Sequence, residues 1–285
     1  MSIWNAILQA IVQGLTEFLP VSSSGHLALV QHFTHTTGEE ASFLSVVLHL
    51  GTLVAVFIAF RKTIGRLILE FFRMIGDIFT GRFHWKEMNE YRRMIVMLVV
   101  AILPLCCLLP FYGKISEMVG NPNLIFLGIC FLLTSVLLYL ADRAVKGQKT
   151  GKNMRWRDAI AIGVTQCVAT LPGISRSGST VSTSLLCGLS KKFALQFSFI
   201  LGIPAILGAG LMEAKDVLTN PDSALTAEII LPAVIGFLVA AFVGFLAIKM
   251  VNWLVKSDKF KIFAYYTLAI GTVTMGIGIY ELFVK

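Results

Sequence analysis

Two short motifs combine residue types that could perform chemistry on a phosphate. The first has Gln13 and Glu17, followed by the run Pro20-Val21-Ser22-Ser23-Ser24-Gly25-His26. Residues four apart share one helix face, Pro20 ends that helix, and the serines can cap a new helix that carries His26. A helix start favours phosphate. A hydroxyl, an imidazole and a carboxylate supply a nucleophile, a general base and a metal ligand or orienting group.

The second motif reads Pro172-Gly173-Ile174-Ser175-Arg176-Ser177-Gly178-Ser179-Thr180. Its small residues let the backbone approach a ligand closely, and its hydroxyl and N–H groups can line an anion site. Arg176 offers a planar fork of donors that suits phosphate. The alternative is that Arg176 extends toward the cytoplasmic membrane surface, which the neighbouring glycines and serines disfavour.

The composition places both motifs in a membrane protein. The 285 residues are 56% hydrophobic and 14% charged, whereas soluble domains are roughly 45–50% apolar and about 25% charged. Apolar runs long enough to span a bilayer occur at Ser42–Phe60, Arg93–Phe111, Asn123–Ala141, Phe193–Met212, Ile229–Ile248 and Ile262–Leu282. We therefore predict six transmembrane helices.

Two further apolar stretches, 4–33 and 158–189, contain the two motifs and are interrupted by Pro, Ser and Gly. A broken segment cannot cross lipid as one helix, but it is tolerated inside protein or along a cavity. We predict that both are re-entrant helical hairpins. Their tips, Pro20–His26 and Pro172–Thr180, should face one another and form a phosphate site.

The net charge of +8 sets topology rather than nucleic-acid binding, and no nucleic-acid partner is expected. Twenty of the 24 basic residues fall between the first two spans or within Arg143–Arg157, Lys191–Lys192 and Lys249–Lys261. The positive-inside rule places these groups in the cytoplasm. The loops Gly113–Pro122 and Glu213–Glu228 and both termini are then outside.

The two interrupted segments also resemble each other. Aligning 13–25 with 166–178 matches Gln13 to Gln166, Ser22 to Ser175, Ser24 to Ser177 and Gly25 to Gly178. Each half then has one hairpin and three spans, in opposite orientation, which is a known way to build a polar site in lipid. We predict an all-α polytopic membrane fold, one domain over 1–285, built from inverted repeats at 1–141 and 158–285.

Each polar residue also has a purely structural interpretation. The serines could merely cap helices, His26 could pack through a hydrogen bond, and Glu17 could extend to an interface. An ionisable group inside the membrane costs roughly 2.5–3.5 kcal/mol on insertion scales, so it is a functional candidate by default. Their combination within one apolar hairpin favours function.

The two motifs, with the segment Val46–Val56, resemble the signatures of the bacterial undecaprenyl-diphosphatase (bacitracin-resistance) family over essentially the whole chain. This resemblance implies hydrolysis of undecaprenyl diphosphate to the monophosphate, which recycles the lipid carrier for cell-wall synthesis. It also implies a divalent cation, Mg²⁺ or Ca²⁺, and a site on the outer side of the plasma membrane. The partners would be the polyprenyl diphosphate and the bilayer.

Matching the motifs residue by residue assigns catalytic roles to Glu17, Ser23, His26 and Arg176, and cation binding to Glu17 and Gln13. Many family members have Glu at position 13, so Gln13 puts a two-carboxylate site in doubt, although its carbonyl oxygen can still bind a hard cation. The expected substrate-binding residues are Gln13, Ser22, Ser24, Gly25, Gly173, Ser175, Ser177, Gly178 and Thr180.

Three mechanisms remain open: attack by Ser23 with His26 as base, attack by His26, or attack by water that His26 activates. The rival function is a secondary transporter or flippase for a polyprenyl phosphate lipid, since inverted repeats with broken helices are also a transporter architecture. We expect His49 to be a hydrogen-bonded interhelical group and the five cysteines to be free thiols. The sequence allows a homodimer without setting the oligomeric state.

Overall fold

The computed structural model describes residues 2–34, 39–111, 113, 123–144, 146–219, 227–257 and 259–284. The remaining positions include most of the predicted outer loop 113–122 and residues 220–226 of the predicted outer loop 213–228. The predictions for these two loops therefore lie largely outside the described residues. Within the described ranges the chain forms α1 (Ile3–Phe18), α2 (Ser23–Thr34), α3 (Glu39–Ala59), α4 (Arg61–Phe79), α5 (Glu90–Cys106), α6 (Leu124–Asp142), α7 (Trp156–Val168), α8 (Arg176–Leu186), α9 (Lys191–Thr219), α10 (Ala227–Lys256) and α11 (Lys261–Val284).

Six of these helices, α3, α5, α6, α9, α10 and α11, contain stretches long and apolar enough to cross a membrane, as predicted. Their ends extend past the predicted bounds, since α10 runs on to Lys256 and α5 begins at Glu90. A hydropathy pattern marks the apolar core of a span, whereas backbone hydrogen bonding continues the helix into the polar interface. The chain is a multi-pass membrane protein.

Glycines let several of the long helices approach one another closely. A Cβ added at Gly51 of α3 would lie 2.5 Å from the Phe237 carbonyl oxygen of α10. One added at Gly128 of α6 would lie 2.7 Å from Met275 Cβ of α11. Small residues serve this purpose in membranes, where apolar side chains gain little by leaving lipid for another helix.

The two predicted interruptions appear as two helix pairs, α1 with α2 and α7 with α8. In the first pair Gln31 Nε2 donates to Gln9 Oε1 at 3.2 Å, and in the second Thr183 Oγ1 donates to Thr165 Oγ1 at 3.0 Å. Each bond joins a residue before the break to a residue after it, so the chain reverses there. As in the prediction from the sequence, the first tip is Pro20–His26 and the second tip is Pro172–Thr180.

Helix α4 was not predicted, since only its basic charges were interpreted. Its apolar residues recur at helical spacing on one side, where Leu67 is buried and Phe72 remains 66% exposed. Lys62, Arg66 and Arg73 follow the other side. This periodicity is typical of an amphipathic helix, so the signal for α4 was present in the sequence.

Ionic contacts tie α4 to the start of α5. Arg92 Nε donates to Glu70 Oε2 at 2.8 Å, Asn89 Nδ2 donates to the same oxygen at 2.9 Å, and Arg73 Nη1 donates to Oε1 at 3.0 Å. The hydrogen bond from Arg92 is the main cause that holds the pKa of the Glu70 carboxyl below its usual value, against the opposing effect of burial. This carboxylate is therefore charged at neutral pH and fixes α4 against the adjoining span.

Candidate active site

The two tips touch, as the sequence predicted. Ser177 Oγ donates to the Leu19 carbonyl oxygen at 3.1 Å. A Cβ added at Gly25 would lie 3.1 Å from Gly173 Cα, and one added at Gly178 would lie 3.1 Å from the Pro20 carbonyl oxygen. A larger residue at either position would crowd these contacts by a few tenths of an ångström, and a Cβ at Gly25 would also lie 2.5 Å from the Phe131 ring.

The first tip turns through Ser22, whose φ of 73° is in the left-handed region. Such a conformation is uncommon outside glycine. Ser22 Oγ accepts a hydrogen bond from Gly25 N at 3.3 Å and lies 3.4 Å from Ser24 Oγ, while the Ser22 carbonyl accepts from His26 N at 3.2 Å. Ser22 therefore caps α2, which confirms the predicted capping by a serine of this run.

The second tip is built in a similar way. Gly173 has a φ of +91° and lies against α6, where an added Cβ would be 2.8 Å from the Leu127 carbonyl oxygen. Ser175 Oγ accepts from Gly178 N at 3.0 Å and so caps α8. Thr134 of α6 fixes this turn, because its hydroxyl accepts from Ser175 N at 3.1 Å and donates to the Gly173 carbonyl at 3.3 Å.

Glu17 lies where the two tips meet, in the last turn of α1, and is only 5% exposed. Its Oε2 accepts hydrogen bonds from Ser23 Oγ at 2.6 Å and from Gln13 Nε2 at 3.0 Å. Its Oε1 accepts from Arg176 Nη2 across the tips. A carboxylate, a guanidinium and a hydroxyl thus converge on one buried point, which is the set of groups that a phosphoryl-transfer site requires.

Gln13 is fully buried beside Glu17 and can supply a second oxygen ligand. Its Nε2 is used by Glu17, while its Oε1 has no hydrogen-bond partner among the described residues. A buried, unpaired carbonyl oxygen is costly unless a ligand satisfies it, and amide oxygens are suitable ligands for Mg²⁺ or Ca²⁺. The described residues contain no group of three or more His, Cys, Asp or Glu side chains that could hold a metal. The pair fits a cation whose other ligands come from substrate or water.

The Arg176 side chain lies beside Gly202 of α9 and contacts Glu17. A Cβ at Gly202 would lie 2.0 Å from Arg176 Nη1, so the guanidinium occupies the space that a larger side chain would fill. Its ion pair with Glu17 places Arg176 in the site. The alternative interpretation, in which Arg176 extends to the cytoplasmic surface, is wrong.

His26 is close to the site but is not paired with Ser23. Its Nδ1 lies 2.7 Å from the Ser22 carbonyl oxygen, and its Nε2 lies 2.8 Å from the Tyr266 hydroxyl. The hydroxyl of Ser23 donates to Glu17 instead. The residue positioned to accept a proton from Ser23 is therefore Glu17, whereas His26 was the expected base in one of the three mechanisms left open by the sequence.

Two further residues contact the site. His49 of α3 was predicted to form an interhelical hydrogen bond, but its contact with another helix is an ion-pair distance of 3.8 Å between its Nε2 and Glu17 Oε2. Its Nδ1 donates to the Ser45 carbonyl at 2.7 Å. Tyr266 lies 240 residues from His26 in an apolar span, where no local pattern distinguishes it from a lipid-facing tyrosine.

Several of the predicted substrate-binding residues also support the second tip. Ser175, Ser177 and Thr180 are buried and bonded within the protein. Thr180 Oγ1 bonds to Ser198 Oγ of α9 and to the Arg176 carbonyl. Their hydroxyls hold the backbone that presents Arg176, so the side chain most available to a phosphate in this tip is that of Arg176.

Known proteins resemble this chain over nearly its whole length. The family described as bacitracin resistance protein BacA matches residues 6–273. A protein of Alkaliphilus metalliredigens named undecaprenyl-diphosphatase is 40% identical over 275 residues, 96% of this chain and 98% of that protein. Proteins with the same name from Methanobrevibacter smithii and Christiangramia forsetii are 39% and 37% identical, over 99% and 95% of this chain and 100% and 96% of their own lengths.

Proposed function

The chain belongs to the bacitracin resistance protein BacA family, and on this premise we propose that it hydrolyses undecaprenyl diphosphate to undecaprenyl phosphate and inorganic phosphate. The observation that carries the proposal is the buried Glu17 carboxylate, which receives hydrogen bonds from Arg176 of one helix pair and from Ser23 of the other. The product is the lipid carrier that cell-wall synthesis reuses. Bacitracin resistance is implied by the family name.

Substrate binding would rearrange the ion pair at the centre of the site. A diphosphate offers Arg176 more oxygens, and more negative charge, than Glu17 does, and a guanidinium binds two phosphate oxygens through its planar fork. Arg176 would then exchange the carboxylate for the phosphate. The unpaired N–H groups at the starts of α2 and α8 favour the same anion.

In the proposed reaction the Ser23 oxygen attacks the terminal phosphorus, and the bond from that phosphorus to the bridging oxygen breaks. Undecaprenyl phosphate leaves, and the hydroxyl proton passes to Glu17 Oε2. Water then attacks the phosphoserine and releases phosphate, while the Ser23 oxygen regains its proton from Glu17. The 2.6 Å hydrogen bond between Ser23 and Glu17 supports this order over attack by His26 or by water that His26 activates.

We propose a divalent cation, Mg²⁺ or Ca²⁺, held by Glu17 and by the unpaired Oε1 of Gln13. When bound, such an ion would neutralise part of the diphosphate charge and polarise its oxygens. Gln13 Nε2 meanwhile orients the Glu17 carboxylate through its 3.0 Å hydrogen bond.

We also propose that the two helix pairs are re-entrant hairpins, at 4–33 and 158–189, of two inverted repeats, and that the site opens to the outer side of the plasma membrane. The distribution of basic residues supports this orientation, and basic α4 would then lie on the cytoplasmic side. In a background that lacks the five native cysteines, an impermeant thiol reagent should reach an Arg82→Cys variant only from the cytoplasmic face of oriented vesicles, and labelling from the outside would contradict the orientation.

The proposed function is tested by incubating the purified protein in detergent with undecaprenyl diphosphate. We expect stoichiometric release of phosphate and undecaprenyl phosphate, and a loss of turnover in chelator that Mg²⁺ or Ca²⁺ restores. A transporter would instead move the lipid across a vesicle bilayer without cleaving it. Intact substrate after prolonged incubation, with lipid movement in proteoliposomes, would overturn the phosphatase function in favour of transport.

A further inference from the structure

His26 is held in one tautomer by a backbone contact. Its Nδ1 lies 2.7 Å from the Ser22 carbonyl oxygen, which can only accept a hydrogen bond. Nδ1 must therefore carry a hydrogen, and in the neutral ring Nε2 is the nitrogen with a free lone pair. Any proton that His26 exchanges during a reaction must pass through Nε2.

Tyr266 of α11 is the hydrogen-bond partner of that nitrogen. Its hydroxyl is 2.8 Å from His26 Nε2, and its ring is stacked on the imidazole with centroids 5.6 Å apart and planes 10° apart. The Phe131 ring of α6 packs edge-on against the imidazole, with ring centroids 5.2 Å apart and ring planes at 82°. The stacking fixes the plane of the imidazole, and the two hydrogen bonds fix its rotation within that plane.

The two partners differ in exposure at the protein surface. His26 is 9% exposed, whereas Tyr266 is 45% exposed and lies on a membrane-spanning helix. The Tyr266 side chain therefore covers the Nε2 of a nearly buried imidazole.

We propose that Tyr266 is a positioning residue for His26 in the phosphatase reaction, in which the His26 Nε2 would be the base for the water that attacks the phosphoserine. The Tyr266 hydroxyl and ring hold that nitrogen, as a hydrogen-bond acceptor, in one orientation. This assignment rests on the proposed function. It adds a third element to the site, because α11 then contributes alongside the two tips.

The functional test compares Tyr266→Phe with Tyr265→Phe, in steady-state turnover of undecaprenyl diphosphate with Mg²⁺. Tyr265 is the next residue on the same helix, is 56% exposed, and offers the same chemical change outside the site. Tyr266→Phe keeps the stacked ring and loses only the hydroxyl. We expect it to lower kcat roughly tenfold, as for a partner that orients a reactive group, with KM within about twofold, and Tyr265→Phe to match the wild type.

A double-mutant cycle separates positioning from a general structural effect. In a His26→Ala background, Tyr266→Phe should have no further effect on kcat, because the hydroxyl acts only through the imidazole. Equal fractional losses in both backgrounds, or a wild-type kcat for Tyr266→Phe, would overturn the proposal.

A spectroscopic test holds even if the protein does not cleave this substrate. In ¹⁵N-histidine-labelled protein in detergent, the His26 signals, identified by their absence in His26→Ala, should show a protonated Nδ1 and a hydrogen-bonded, unprotonated Nε2. Tyr266→Phe should shift the Nε2 signal, and Tyr265→Phe should leave it in place. A His26 signal that is unchanged in Tyr266→Phe would contradict the positioning role whatever the activity.

Discussion

The two tips have similar backbones and different chemistry. Each restarts a helix with a serine cap, Ser22 in the first tip and Ser175 in the second. The first tip places Ser23 beside the Glu17 carboxylate, whereas the second contributes Arg176 from among buried hydroxyls that bond within the protein. Because a cap uses only one hydroxyl and a few backbone groups, the neighbouring positions are free to diverge.

The alignment of the two segments shows how far they have diverged. Ser23 corresponds to Arg176 and Glu17 to Thr170. Gln13 therefore has a carboxylate beside it and donates a hydrogen bond to that carboxylate. Gln166 has no such carboxylate, and neither of the polar atoms of the Gln166 side chain has a hydrogen-bond partner among the described residues. The two similar turns thus carry complementary groups, the first a hydroxyl beside a carboxylate and the second the guanidinium that pairs with that carboxylate.

The largest expected difference separates Ser23 from Ser177. Ser23→Ala should lower kcat by roughly 10⁴-fold, because the lost group acts only in the transition state. Ser177→Ala should leave kcat within severalfold and cost about 1–2 kcal/mol of stability, since it removes the hydrogen bonds of Ser177 Oγ with the Leu19 carbonyl and with Ser175 Oγ. Turnover and thermal unfolding in detergent measure the two effects.

Acid quench of the wild type with radiolabelled diphosphate completes that test. A phosphoserine should be trapped in the wild type and be absent from Ser23→Ala. A mild Ser23→Ala defect together with no labelled protein would show that water or His26 attacks.

Glu17→Gln should lower turnover by about 10³-fold, since it removes the charge that Arg176, Ser23 and the cation share. Glu87→Gln is the matched control, because Glu87 is exposed and lies far along the chain from both tips. Folding is checked by size-exclusion chromatography in detergent. If Glu17→Gln keeps more than about a tenth of the wild-type turnover rate, which is a change in the activation barrier of under about 1.4 kcal/mol, Glu17 is not the central catalytic group of the site.

Arg176→Lys should lower kcat/KM about 10²-fold, because lysine keeps the charge but loses the two-pronged contact with phosphate. Arg82→Lys, the same exchange at an exposed residue, should have no effect. The measurement is kcat and KM for the diphosphate with saturating Mg²⁺. If Arg176→Lys keeps the wild-type kcat/KM, the positive charge at this position is sufficient and the two-pronged contact of arginine is not required.

The smallest effects distinguish the two glutamines. Gln13→Leu should raise the Mg²⁺ concentration for half-maximal activity about tenfold, through loss of Oε1 and of the bond that orients Glu17. Gln166→Leu should leave this concentration unchanged and alter the unfolding temperature little, because no hydrogen bond is lost. Equal cation dependence in both variants would remove Gln13 from the proposed cation site.

The sequence by itself determined the elements and their interruptions. The six apolar runs became six long helices, α1 stops at Phe18 just before Pro20, and Ser22 and Ser175 cap the helices that follow. These features depend on local physics, namely hydropathy over about 20 residues and the need of a helix start for a side-chain acceptor. Helix α4 was equally readable, because its apolar spacing is local too.

Only the tertiary structure decided which groups meet. Glu17, rather than His26, faces the Ser23 hydroxyl. The turn through Ser22 directs the His26 ring to the Ser22 carbonyl and to the Tyr266 hydroxyl instead. His49 and Tyr266 reach the site from α3 and α11. Their positions depend on how distant helices pack, through close contacts such as Gly51 with Phe237, and no spacing along the chain encodes a contact between residues 240 apart.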